Sequence, residues 1–487
     1  MNKTEVCENE RPRELVPALG VYASTAVTVG AMIGSGVFVS TGGMARASTS
    51  GTALLMTWFF AGVMTLVGAL TLCELASQMP RTGGLYVYLR EAFGEPVGFF
   101  FGWANFMVAG SGAIGAIAFI FASYVNEFVP LWEPPPEIQQ WSIHLPYLGS
   151  IFPGARLGEK IVASGVVIFL TIINVIGVRV GGALQSVSTT VKVLALVVVV
   201  IFGLSYSNGS FANLAAPNTS LVTSGSWGGL ALLVTALVGG FWSYDGWANV
   251  TFIAGEVRRP ARTLPLALMF GTAIVMLTYL LVNLAYLYVL PVDDLAAVPG
   301  DRIASAMMRT VAGPAGAVGV ALLILLSTFD TTNSAILTNA RVCYAMAREG
   351  LFVERAGRIS RRFGTPATAI WMQCGWTLVL LVSGSFGLIT SMYVFVNWLF
   401  YLLTGIAVFV LRRRKLPSAF TIPGYPYVPA FFVLFTSVFL VMTLVEDINA
   451  YRRGEEICVK SLIGLVLVMA GAPFYAWTRW RRRLASS

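Results

Sequence analysis

Residues 30–38, Gly-Ala-Met-Ile-Gly-Ser-Gly-Val-Phe, set glycines and a serine in the middle of an apolar run long enough to cross a bilayer. Glycine weakens a helix and tolerates unusual backbone angles. In lipid, a broken helix leaves N–H and C=O groups unpartnered unless protein or a polar guest satisfies them. One reading of Gly34, Ser35 and Gly36 is therefore a binding site. The N–H groups and dipole of a restarting helix would face a carboxylate there, with the Ser35 hydroxyl as a further donor. The other reading is a small-residue face that lets two helices approach closely.

A second interruption, Gly239-Gly240-Phe241-Trp242-Ser243-Tyr244-Asp245-Gly246-Trp247-Ala248-Asn249, breaks another apolar run and carries a carboxylate. Its freed carbonyls are acceptors, which suit an ammonium group. One break offering donors and the other acceptors fits a zwitterion. Asp245 at membrane depth needs water, a partner or a guest. It either attracts a cationic side chain of the guest or bonds the broken backbone and its Tyr and Trp neighbours. Lys192 lies within the run Val191-Lys192-Val193-Leu194, and Asp330 is expected to interrupt a later span in Ser327-Thr328-Phe329-Asp330-Thr331-Thr332-Asn333-Ser334. On the residues alone, Lys192 snorkels toward the cytoplasmic end. Asp330 tunes a pocket, couples a proton or bonds its threonine neighbours.

The elements that must position these residues are membrane helices. The chain has 487 residues, is 56% apolar and only 11% charged, with a mean hydropathy of +0.76. Such a composition makes the bilayer the expected solvent. About twelve apolar spans of roughly 20 residues fit, near 15–44, 52–79, 97–128, 159–178, 184–206, 227–255, 265–290, 315–345, 367–383, 385–411, 427–445 and 459–479. No cleavable leader is expected, because the first 14 residues are polar and a full-length span follows.

Most of the 32 Lys and Arg fall on the inner side if both termini are cytoplasmic, as the positive-inside rule requires. That distribution accounts for the net charge of +9 and argues against nucleic acid as a partner. The five cysteines have no metal-like spacing, and the lone His144 lies in the loop 129–158, so neither a metal site nor a histidine proton relay is expected. No nucleophile elbow or phosphate loop is present, and the chain is not expected to be an enzyme or to hold a cofactor.

The two interruptions fall in spans one and six. Each begins a set of five, 15–206 and 227–411, and an odd number of spans gives the two sets opposite orientations. Paired interruptions of this kind point to a transporter site at the midplane. Around these sets lie a cytoplasmic N-terminus (1–14), two additional spans (427–479) and a cytoplasmic tail (480–487). The segment 80–96 is amphipathic and is expected to form an interfacial helix. Gly110, Ser111 and Gly112 in span three are candidates for widening a pocket, with their facing undetermined.

Gly34-Ser35-Gly36, Trp242-Ser243-Tyr244-Asp245-Gly246-Trp247, Ala254-Gly255-Glu256-Val257-Arg258-Arg259-Pro260 and Ala345-Met346-Ala347-Arg348-Glu349-Gly350 resemble the amino acid–polyamine–organocation (APC) superfamily, from about residue 15 to 445. The nearest branch resembles the L-type amino acid transporters. The resemblance implies an all-α membrane protein with a LeuT-like 5+5 inverted repeat and broken helices one and six. It implies that Met32 lines the substrate site, that the carbonyls of Trp242, Ser243 and Asp245 receive the α-ammonium, and that Trp242 is an aromatic gate. It also implies that Lys192 stands in for a sodium ion, its ammonium neutralising carbonyls freed by the first break. Asp330 departs from the small residue common at its position in relatives. Members that pair with a glycoprotein use a cysteine in the loop 129–158, which has none here, so no disulfide-linked heavy chain is expected.

The expected function is secondary transport in a plasma or bacterial inner membrane: sodium-independent exchange of neutral or cationic L-amino acids. Proton-coupled uptake and a non-transporting sensor are the alternatives.

Overall fold

The computed structural model describes residues 15, 17–145, 149–219, 228–383, 386–415, 417–454 and 459–486. The N-terminal segment 1–14, residues 16, 146–148, 220–227, 416 and 455–458, the junction Gly384-Ser385 and the end of the tail at 487 lie outside them, and Cys7 and Cys458 with them.

The first span divides into α1 (Val21–Met32) and α2 (Gly36–Arg46), with the chain non-helical at Ile33, Gly34 and Ser35. Then come α3 (Gly51–Gln78), α4 (Leu85–Phe93), α5 (Glu95–Ala104), a π-helical turn (Asn105–Ala109) and α6 (Gly110–Phe128). Ser50 caps α3 by accepting a bond from the Ala53 N–H at 3.2 Å, an ordinary use of serine at a helix start. The loop after α6 contains a short helix, α7 (Pro136–Gln140), and an antiparallel hairpin of β1 (Ile143–Leu145) and β2 (Gly149–Ile151). Next are α8 (Leu157–Ile176), α9 (Val178–Leu204) and α10 (Gly228–Tyr244), and a 3-10 segment (Trp247–Glu256) completes span six. The remainder is α11 (Pro260–Val289), α12 (Val292–Ala297), α13 (Ile303–Arg348), α14 (Ala367–Ser383), α15 (Phe386–Arg412), α16 (Tyr427–Arg452), α17 (Lys460–Met469) and α18 (Ala472–Ser486).

Ten helices among the described residues are long and apolar enough to cross a membrane. The two other expected spans are represented by α10 with its 3-10 extension and by the shorter α14. The protein is an all-α, multi-pass membrane protein, the hairpin aside. Its outward surface carries large apolar side chains, among them Ile161, Phe169, Ile201, Leu277 and Val441, as a lipid-facing surface does. Inside, α1 packs on α9 and α11, α2 on α10, α3 along α11, α6 along α13, and α8 along α14.

Two expectations need correction. The polar run 327–334 does not interrupt its span, because α13 is helical throughout it. Thr328 and Thr332 each return a hydroxyl bond to the carbonyl four residues back, which keeps polar side chains inside a helix. The bend in α13 lies earlier, at Ala312 and Gly313 before Pro314, where Gly313 has φ 66°. The amphipathic segment at 85–93 buries Leu85, Tyr86, Val87, Tyr88 and Leu89 within the protein, where it packs on α5 and α15. The surface it covers is therefore protein rather than a lipid interface.

Candidate substrate site between two broken helices

The two breaks touch. A Cβ placed on Gly36 would lie 2.5 Å from Ser243 Cα, so only glycine lets the start of α2 approach the end of α10 this closely. Gly246, with φ 97°, brings the second break to within similar reach of the Ala31 carbonyl, which a Cβ there would meet at 2.7 Å. The packing-face reading of the glycines thus holds at Gly36 and Gly246, where close approach brings the two breaks together.

Between the breaks lies a cavity of about 40 Å³. Met32, Gly34, Ser35, Gly36, Trp242, Ser243 and Asp245 all line it. A helix that begins at Gly36 leaves its first N–H groups without acceptors of its own. The Ser35 hydroxyl makes no capping bond. Donors thus stand on one side of the cavity and the carbonyl end of α10 on the other. Trp242 meets the Tyr393 ring edge-on, with centroids 5.1 Å apart, at the border of the space.

The carbonyls of the second break are only partly available. Trp242 O accepts from Asp245 N at 3.3 Å, and Ser243 O lies 3.1 Å from the Tyr279 hydroxyl. Each carbonyl oxygen keeps a second lone pair. The Ser243 hydroxyl itself turns back to Gly239 O at 2.8 Å.

Asp245 lines the cavity, and its carboxylate is held by the Gly246 backbone and by neighbouring side chains. Its carboxylate receives Tyr401 OH at 2.6 Å, Asn397 Nδ2 at 3.0 Å and the Tyr393 hydroxyl, all three on α15. Residues 393, 397 and 401 recur every four positions and share one face of that helix.

Lys192 and Asp330 stand behind the first break and do not line the cavity. Lys192 is fully buried, which rules out snorkelling. Its Nζ donates to Ile33 O at 2.7 Å and Gly30 O at 3.1 Å, and pairs with Asp330 Oδ2 at 2.6 Å. Thr331 Oγ1 reaches the same two carbonyls at 2.8 and 3.0 Å, and Ser327 Oγ reaches Ile33 O at 3.0 Å. The carbonyls released by the first break are thus satisfied by side chains of α9 and α13, as membrane depth demands.

Sequence reasoning missed several lining residues. Asn249 follows the second break, Thr331, Ala335 and Asn339 come from α13, and Tyr393 from α15. Span three contributes Ala113 and Ile117 in place of the candidates Gly110, Ser111 and Gly112. Tyr279 of α11 was also missed. The only signal for it is a polar hydroxyl within an apolar span.

Beyond the second break, Glu256 and Arg341 form a buried pair at 2.9 Å. Glu74 receives Arg412 through two bonds of 2.6 and 2.7 Å and the Ile422 N–H at 2.9 Å, which makes it a structural tie.

The amino acid permease family profile matches residues 19–468. The chain is 30% identical over 468 residues to the serine/threonine exchanger SteT of Bacillus subtilis (strain 168), covering 95% of this chain and 97% of that protein. It is 28% identical over 461 residues to the mouse (Mus musculus) b(0,+)-type amino acid transporter 1, covering 94% and 87% respectively. It is 27% identical over 467 residues to the human (Homo sapiens) large neutral amino acids transporter small subunit 2, covering 94% and 79%. With two broken helices around one cavity and a family match over nearly its whole length, the chain belongs to the amino acid permeases of the APC superfamily.

Proposed function

We propose that this permease is a sodium-independent exchanger of neutral L-amino acids working by alternating access. One observation carries the reading: the amide donors of the first break and the carbonyl acceptors of the second face a single cavity across the Gly36–Ser243 contact. A zwitterion's carboxylate and ammonium have that separation of needs. Met32, Gly34, Ser35, Gly36, Trp242, Ser243 and Asp245 are the proposed site residues, with Trp242 as gate.

Three further features refine it. The Lys192 ammonium occupies the carbonyl cluster of Gly30 and Ile33 where a free cation would otherwise be needed, which supports independence from sodium. Asp245 spends its carboxylate on three donors of α15, which favours a neutral guest over a cationic one. The small cavity, and the name of the relative SteT, favour small amino acids such as serine and threonine.

The packing of α3 on α11, α6 on α13 and α8 on α14 joins spans five apart and supports the repeat bounds 15–206 and 227–411. The Lys/Arg bias supports cytoplasmic termini, and the cysteine-free loop 129–158 supports action without a disulfide-linked partner.

Counterflow into proteoliposomes tests the reading. Uptake of serine, threonine, alanine or leucine is expected to require internal amino acid and to ignore sodium and an imposed pH gradient. The second reading, proton-coupled uptake, is favoured by the buried carboxylate of Asp330. Uptake driven by a pH gradient without internal amino acid would establish it in place of exchange. Binding without flux would leave only a sensor.

A further inference from the structure

Exchange by this site gives a role to Lys192 but none to Asp330. An ammonium has three N–H donors. At Lys192 the closest three acceptors are Asp330 Oδ2 at 2.6 Å, Ile33 O at 2.7 Å and Gly30 O at 3.1 Å, with Thr331 Oγ1 at 3.3 Å. Asp330 thus supplies both the missing acceptor and the only opposite charge within ion-pair distance among the described residues. Asp330 is itself oriented from α9, where Thr189 Oγ1 reaches Oδ2 at 3.1 Å. Lys192 and Asp330 are both completely or almost completely buried. Burying two charges costs more than packing apolar groups of the same size, so a buried pair is a poor device for stability alone.

We propose that Asp330 is a positioning residue for Lys192: it fixes the ammonium against the carbonyls of Gly30 and Ile33, and so sets the backbone of the first break that presents Ser35 and Gly36 to the substrate carboxylate. The inference rests on the reading of that break as half of the substrate site. The pair acts as a unit. Losing either charge leaves the other buried and uncompensated, whereas losing both leaves a smaller defect.

A double-mutant cycle tests this with Lys192→Met, Asp330→Asn and the double variant, in the full-length protein. Two readouts are taken: the unfolding midpoint in detergent, and the half-saturation and maximal rate of serine counterflow. Each single variant is expected to lower the midpoint. Each is also expected to raise half-saturation by about tenfold or more with a smaller fall in maximal rate. The double variant is expected to recover the midpoint toward wild type and to transport no worse than Lys192→Met.

Losses that multiply in the double variant, or an Asp330→Asn protein identical to wild type, would overturn the proposal. If a single variant does not fold, the double variant decides: recovered folding supports the pair, and an equal or deeper defect rejects it. Absence of counterflow in the wild type would reject the exchange reading alone, because the unfolding cycle still reports whether the two residues are coupled.

Discussion

The Tyr279 hydroxyl lies 3.1 Å from the carbonyl oxygen of Ser243, and the same hydroxyl lies 2.8 Å from that of Met32. One side chain on α11 therefore touches the last turn before each break. Its ring packs at 5.0 Å from Tyr244 and 5.5 Å from Trp58, which holds the hydroxyl in place. Because Tyr279 binds the carbonyl ends rather than the amide ends, it fixes how far apart the two breaks sit without competing for a carboxylate.

Tyr279→Phe removes that tie and leaves the ring. A hydrogen bond of this kind contributes about 0.5–1.5 kcal/mol, so a small loss of unfolding midpoint is expected. Transport is expected to suffer more than stability, with half-saturation for serine rising several-fold. Parallel melting and counterflow measurements decide. A variant that transports like wild type would remove Tyr279 from the site.

Asp245→Asn separates two roles for the carboxylate. The bonds from Tyr393, Asn397 and Tyr401 leave it engaged by protein, so the amide is expected to weaken uptake of leucine, serine and lysine by a similar factor. The cost of mispairing these donors is about 1–3 kcal/mol, which a shifted unfolding midpoint would register. Tyr401→Phe is expected to reproduce the effect in milder form. Selective loss of lysine uptake would instead assign Asp245 to a cationic substrate.

The two breaks were legible in the sequence because Gly34-Ser35-Gly36 and Asp245-Gly246 are polar or small residues within apolar runs, and lipid leaves few reasons for them. Tyr279 was not legible. A tyrosine in a span looks the same whether it packs or bonds, and which carbonyl it reaches depends on how α11 is rotated against its neighbours. The spacing of Tyr393, Asn397 and Tyr401 was a usable signal, since three hydrogen-bonding groups four residues apart form a stripe. Asp330 was misjudged as an interruption for a related reason. Threonines that bond back along their own helix look like a break in hydropathy and are none in the backbone.

The buried pair of Glu256 and Arg341 offers a stability test. Glu256 and Arg341 are both buried, and the backbone beside them is stitched as well: Ala18 N and Leu19 N bond Glu256 O at 2.8 and 2.9 Å, and Arg258 N bonds Leu19 O at 2.8 Å. Arg341→Ala strands a buried carboxylate, which costs about 3–5 kcal/mol. The unfolding midpoint is expected to drop sharply, while Glu256→Gln/Arg341→Met together recover much of it. A single Arg341→Ala variant with an unchanged midpoint would show that this pair does not hold the ends of span six and α13 together.

Gly36→Ala tests the contact from which the whole site follows. Its new methyl would sit 2.5 Å from Ser243 Cα and 2.6 Å from Ser243 Cβ, and a backbone atom cannot swing aside as a flexible side chain can. The breaks must part or the end of α10 must shift, either of which moves the Ser35 and Gly36 donors relative to the carbonyls opposite. Counterflow is expected to fall by about tenfold or more, since displacing positioning groups by about 1 Å costs that much in systems that depend on orientation. Gly165→Ala, on the exposed face of α8 with nothing within 4 Å of its new Cβ, is the matched control and is expected to transport as wild type does. Equal transport by both variants would mean that substrate is recognised elsewhere, because no substrate site built on the touching breaks can absorb that methyl without moving.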